Sequence, residues 1–167
     1  MINSKDIAPS AENLNFVFTG NSGTGKTTVA KMIGRILYSF GILESPDVIK
    51  ADVRLINHGD PAHNIVEYFD KAVGKVLFID EAYSLINNGD VRAIDAMVDA
   101  LTDDNYKGKL CVILAGYPIQ IKRLLNSNEG MPSRFPNEIR FEDYTSEELW
   151  RILKLMAEHH HPSLIIA

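Results

Sequence analysis

Gly20-Asn21-Ser22-Gly23-Thr24-Gly25-Lys26-Thr27 stands between an apolar run, Leu14 to Thr19, and a segment of helical period, Lys26 to Phe40. The octet fits G-x-x-x-x-G-K-[ST] in full, with a strand before it and a helix after it. Each residue type has a physical task. The glycines permit positive φ and close backbone approach, so successive N–H groups can converge on phosphate oxygens. The helix that follows offers its unpaired N–H groups and the positive end of its dipole to the same anion. Lys26 supplies a point charge at the β and γ phosphates, and the Thr27 hydroxyl is placed to ligate Mg²⁺. The candidate nucleotide-binding residues are therefore Gly20, Asn21, Ser22, Gly23, Thr24, Gly25, Lys26, Thr27 and Thr28.

Outward from this loop, short apolar runs alternate with segments of helical period. Strands are expected at Leu14–Thr19, Val48–Val53, Val76–Ile79, Leu110–Ala115 and Ile139–Phe141. The helices between them carry Val29, Ala30, Ile33 and Leu37, then Ile65, Phe69 and Ala72 behind Pro61, then Val91, Ile94, Met97 and Leu101, then a short helix from Ile119 to Leu125. A last helix opens at Thr145, with Glu148 three residues on as a capping box, and is expected to bury Leu149, Ile152, Leu153 and Met156. Strands that alternate with helices imply a parallel sheet between two helical layers.

The third strand ends in Asp80-Glu81. A strand-tip Asp beside a phosphate loop suits a Mg²⁺ carboxylate, and Glu81 is placed to orient or deprotonate an attacking water. Asp80 with Thr27 is the expected metal site, and Glu81 with Lys26 the expected catalytic pair. Together the two motifs imply the fold: an α/β P-loop NTPase sandwich of three layers with a five-stranded parallel sheet of order 5-1-4-3-2, catalytic groups at the C-terminal strand edge.

The 167 residues suffice for one domain, with 46% hydrophobic and 23% charged residues. Disorder, collagen-like repeats and coiled coil are poor readings of that composition. No apolar run approaches the roughly 20 residues that span a bilayer. Met1 to Asn15, with Lys5, Asp6, Pro9 and Glu12, does not read as a secretory signal. Cys111 is a lone cysteine in an apolar run, which suits a reducing compartment. With 17 basic against 22 acidic residues, the net charge of -5 argues against a duplex-nucleic-acid binder. The expectation is a cytoplasmic protein without membrane association.

The sequence resembles the AAA+ ATPases, and among them the group with the red-type rubisco activases and stage V sporulation protein K. The resemblance rests on Phe18 through Val29, Lys75 through Tyr83, Val112 through Tyr117, and Gly130-Met131-Pro132-Ser133-Arg134-Phe135 running into Phe141-Glu142-Asp143-Tyr144-Thr145. It implies ATP and Mg²⁺ as ligands, hydrolysis at the Walker A and Walker B motifs, and assembly with copies of itself or related AAA+ subunits into a ring, commonly a hexamer. Such rings remodel a protein substrate. The resemblance assigns Arg134 as a third catalytic residue, an arginine finger acting on a neighbouring subunit's nucleotide, side chain hanging free in a monomer. The structural alternative is a pairing of Arg134 with Glu138 or Asp143. Tyr117 takes the place of a sensor residue near the γ-phosphate, or packs at the strand end. Residues 1–145 form the core, and 146–167 the first helix of a truncated or absent helical lid.

Other features depart from a complete motor. Leu55-Ile56-Asn57-His58-Gly59-Asp60, at the place of a pore loop, has no aromatic residue. His58 and His63 read as solvated loop residues rather than metal ligands. His159-His160-His161 reads as a frayed terminus, and Ile165 and Ile166 as apolar groups able to pack on a lid or neighbour. The alternative to hydrolysis is a nucleotide-dependent binding or scaffold module with little turnover. The chain has no N-K-x-D motif for guanine and no acceptor-binding segment after Ala82, which disfavours a GTPase and a small-molecule kinase.

Overall fold

Strands with no polar face must be covered on both sides, and the two central strands meet that condition. In the computed structural model, which describes residues 13–86 and 88–160, β3 (Val76–Ile79) and β4 (Cys111–Gly116) are buried at every position. They are flanked by β1 (Phe16–Thr19), β2 (Val48–Ala51) and β5 (Asn137–Arg140) in the order β2-β3-β4-β1-β5, every pairing parallel. This is the expected order read from the opposite edge. Alternate residues serve opposite faces. Phe18, Val76, Phe78, Cys111 and Ile113 pack with Ala30 and Leu37 of α1 (Lys26–Ser39). Val17, Leu77, Ile79, Val112 and Leu114 form the larger core with α3 (Pro61–Ala72), α4 (Arg92–Ala100) and α5 (Pro118–Leu125). Full burial of a side chain such as Phe18, Phe69 or Phe78 contributes roughly 1.5–3 kcal/mol.

The register brings functional segments to one edge. Thr19 pairs with Gly116 on one side and Arg140 on the other, and Ile79 pairs with Leu114. Gly20, Asp80, Tyr117 and Phe141, each following the last residue of its strand, therefore lie along the same C-terminal border. Cys111, at the start of β4, donates from Sγ to the Leu14 carbonyl at 2.9 Å, and burial pushes its thiol up to about 12.

Several expectations are corrected. The second strand stops at Ala51; Val53–Ile56 is a short helix, α2, because the Asp52 carboxylate accepts from the Arg54 N–H and caps it. β5 begins at Asn137 and excludes Phe141, its polar residues being acceptable on a sheet edge. His63 is helical, in α3, with Nε2 3.4 Å from the Glu67 carboxylate; among the described residues no three metal-ligating side chains gather. The capping box at Thr145 and Glu148 forms, opening α7 (Ser146–His160), and the bonds from the Thr145 N–H and hydroxyl hold the Glu148 carboxyl below its ordinary range. Of its expected apolar stripe only Ile152 is half-buried: Leu149, Leu153 and Met156 are each more than half exposed, because α7 makes no extensive contact with another element among the described residues. Backbone helix continues through His160; the expectations for His161, Ile165 and Ile166 fall outside the described residues. Among the described residues no helix is long and apolar enough to cross a membrane.

Candidate active site

The loop after β1 is held both by its own residues and by the elements beside it. The Gly20 N–H donates to the Gly116 carbonyl at 3.1 Å, tying the loop's start to the end of β4. A side chain is excluded at this point, since a Cβ on Gly20 would lie 2.4 Å from the Phe141 carbonyl oxygen. Gly25, in the left-handed region at φ 95°, caps α1, and the first intrahelical bond runs from the Val29 N–H to its carbonyl at 3.0 Å. The amides of Lys26, Thr27 and Thr28 thus have no partner within the helix, which is the arrangement that binds anions.

Lys26 is 8% exposed, and its ammonium donates to the carbonyls of Gly20 at 2.8 Å and Asn21 at 2.6 Å. Two of its three N–H donors hold the loop's own curve, which leaves one for a ligand. The Thr24 hydroxyl donates to the Asn21 carbonyl at 2.8 Å and completes the turn.

A cavity of about 350 Å³ opens over this curl, with Lys26, Thr27, Thr28, Asp80, Glu81 and Tyr117 in its wall. Of the nine expected nucleotide-binding residues, Gly20, Ser22, Gly23 and Gly25 also line it, whereas Asn21 and Thr24 do not. Asn21 instead donates to both oxygens of Asp143 at 2.9 Å each.

Asp80 is half-buried, accepts the Glu81 N–H at 3.0 Å and stands 3.8 Å from the Lys50 ammonium. Glu81 is exposed and occupies the left-handed region, φ 50° and ψ 40°, an uncommon conformation for a residue with a side chain. Such local strain costs about 1–3 kcal/mol and collects at functional positions. Both carboxylates also line a neighbouring cavity of about 610 Å³ with Lys50, Arg54 and Asn57. Tyr117, 39% exposed, lies 6.3 Å ring to ring from Tyr83, whose phenol is pushed up by burial first and then by the charge of Glu81.

Thr27 and Asp80 offer a hydroxyl and a carboxylate in one cavity. Mg²⁺ is held by one or two such oxygen ligands plus substrate phosphates rather than by an all-protein cage, so the residues present fit that ion.

Arg134 lies elsewhere, at the end of the short helix α6 (Met131–Arg134). It is outside the wall of the phosphate-loop cavity and borders a separate one of about 230 Å³ with Asn15, Thr102 and Tyr106. Its side chain does not hang free: Nη1 donates to the Gly130 carbonyl at 3.1 Å and the Ser133 hydroxyl at 2.9 Å. Neither alternative pairing is formed: among the described residues Arg134 makes no ion pair, while Glu138 accepts from Thr19 and Asp143 from Asn21. Its Nε is buried without a hydrogen-bond partner.

Fold and loop together define a nucleoside-triphosphate-binding α/β domain. Residues 16–143 match the family model described as ATPase family associated with various cellular activities, and the chain belongs to that AAA family. Among its relatives, the ESX-1 secretion system protein EccA1 of Mycobacterium leprae is 38% identical over 158 residues, 89% of this chain and 27% of the relative. Stage V sporulation protein K of Bacillus subtilis is 38% identical over 152 residues, 87% of this chain and 47% of that protein. The chain thus spans about a quarter to a half of these relatives. The fold resembles that of a point mutant of Thermotoga maritima RuvB, with TM-score 0.64 and 21% identity over 89% of this chain and 45% of that one. It also resembles the FIGL-1 AAA domain in complex with ADP, with TM-score 0.60 and 22% identity over 88% and 49%.

Proposed function

We propose that this chain binds and hydrolyses ATP with Mg²⁺, as the nucleotide-binding core of an assembly that remodels a protein substrate. The carrying observation is the gathering of Lys26, Thr27, Asp80 and Glu81 around one cavity of about 350 Å³ over the loop. Lys26 and the first amides of α1 bind the phosphates. Thr27 and Asp80 would hold Mg²⁺, which when bound neutralises charge on the phosphate oxygens. Glu81 accepts a hydrogen bond from the attacking water and takes its proton, and the left-handed backbone fixes where that carboxylate stands.

Arg134 acts on the nucleotide of a neighbouring copy in a ring. Its position outside its own phosphate-loop cavity supports a role between subunits. Tyr117, in the cavity wall, senses the γ-phosphate. Residues 146–167 begin a lid, which gives the exposed apolar side of α7 something to cover.

Phosphate release from wild type and Glu81→Gln, followed across protein concentration, tests this reading. Turnover that rises with concentration and falls at least 10²-fold in Glu81→Gln, with ATP affinity retained, is the expected result. ATP binding with no turnover at any concentration would replace hydrolysis by the nucleotide-dependent binding module.

A further inference from the structure

The segment from Phe141 to Tyr144 leaves β5 and runs against the phosphate loop before α7 begins, and four contacts fasten the two together. The Phe141 N–H donates to the Thr19 carbonyl at 2.7 Å, one residue ahead of the loop. The Phe141 carbonyl approaches Gly20 so closely that no side chain fits between them. The Asp143 carboxylate accepts Asn21 Nδ2 through both oxygens at 2.9 Å. The Tyr144 hydroxyl donates to the Thr24 carbonyl at 3.0 Å, and the same oxygen would lie 2.9 Å from a Cβ on Gly25. Lys26 holds the carbonyls of Gly20 and Asn21 from within the loop, whereas this segment grips Asn21 and Thr24 from outside.

A carboxylate next to an anion cradle opposes the charge of the ligand. Asp143 therefore offers an anionic ligand no electrostatic gain, and its contribution is the charge-assisted bond that fixes the orientation of Asn21. Thr145, the capping residue of α7, follows Tyr144 directly, so any shift of the loop is felt at the root of that helix.

We propose that Asp143 and Tyr144 are positioning residues that hold the phosphate loop in its curl and couple its occupancy to the first turn of α7. The inference rests on the reading of the loop as a nucleotide site.

Its test combines two readouts on the full chain: amide hydrogen exchange of residues 20–25 without nucleotide, and Mg-ATP affinity by titration calorimetry. Tyr144→Phe and Asp143→Ala are expected to speed loop exchange several-fold and weaken ATP binding about three- to tenfold each, the range set by loss of one hydrogen bond. Asp143→Asn keeps an acceptor for Asn21 and is expected to stay within about twofold of wild type on both readouts. ATP should slow exchange in residues 146–149 of wild type and leave it unchanged in Tyr144→Phe. Wild-type loop exchange in both Tyr144→Phe and Asp143→Ala would overturn the proposal. So would tighter ATP binding in Asp143→Ala and Asp143→Asn alike, which would reduce Asp143 to a charge effect. A wild type that binds no ATP, with the exchange differences still present, would sink the nucleotide reading and leave the loop-holding role standing.

Discussion

Lys26, set by the phosphate-loop motif, and Arg134, assigned to phosphate only through the family resemblance, are both cations, and the fold surrounds them differently. Lys26 has its ammonium bonded to two carbonyls of its own loop and shares a cavity with Thr27, Asp80 and Glu81. Arg134 borders another cavity, and its buried Nε lacks a partner, an omission that costs about 1–3 kcal/mol in a folded protein. Lys26 keeps its third N–H for a ligand in the cavity it lines, whereas the unpartnered donor of Arg134 is closed off from solvent and lies away from that cavity.

The sharpest break in this contrast would come from Arg134→Ala. In concentrated, assembled protein it is expected to lower turnover about 10³-fold while ATP affinity stays at wild type, checked by steady-state phosphate release beside calorimetry. Equal loss of ATP binding in dilute protein would make Arg134 a structural residue. Lys26→Ala should act the other way, weakening ATP about 10²-fold at every protein concentration, because it removes the countercharge and leaves the Gly20 and Asn21 carbonyls without their donor. A smaller effect belongs to α7, where Thr145→Ala removes the cap and should cost about 1 kcal/mol of local helix stability by hydrogen exchange. Glu148 adds a pH dependence of defined sign. Its carboxyl is held below the ordinary range by the folded helix start, so its stabilisation is present above that range and fades as pH falls through the lowered value.

The parts most legible in the sequence were those with strong local patterns. Val76–Ile79 and the run ending in Ala115 announced central strands because every side chain is apolar, and Gly20 to Thr27 together with Asp80-Glu81 fixed the sheet order and the cavity between them. The α2 helix escaped because four residues carry too little periodicity, although Asp52 ahead of Arg54 was a usable capping signal. Asp143 and Tyr144 escaped for another reason: their partners Asn21 and Thr24 lie far upstream, 122 and 120 residues away, and a polar loop residue does not declare its partner. The spacing of Leu149, Leu153 and Met156 shows an apolar side of α7 but not its burial, since periodicity reports which side is apolar and not what covers it.

Cys111 has a practical corollary. It is the sole cysteine of the sequence, buried in β4 with its thiol pushed up to about 12 and hydrogen-bonded to the Leu14 carbonyl, so thiolate-seeking reagents find almost nothing to attack. A single cysteine engineered on the surface of α7 would therefore be the one reactive sulfur in native protein. A dye placed there would show whether the helix moves against the sheet when nucleotide is added, without first stripping the wild-type residue from the core.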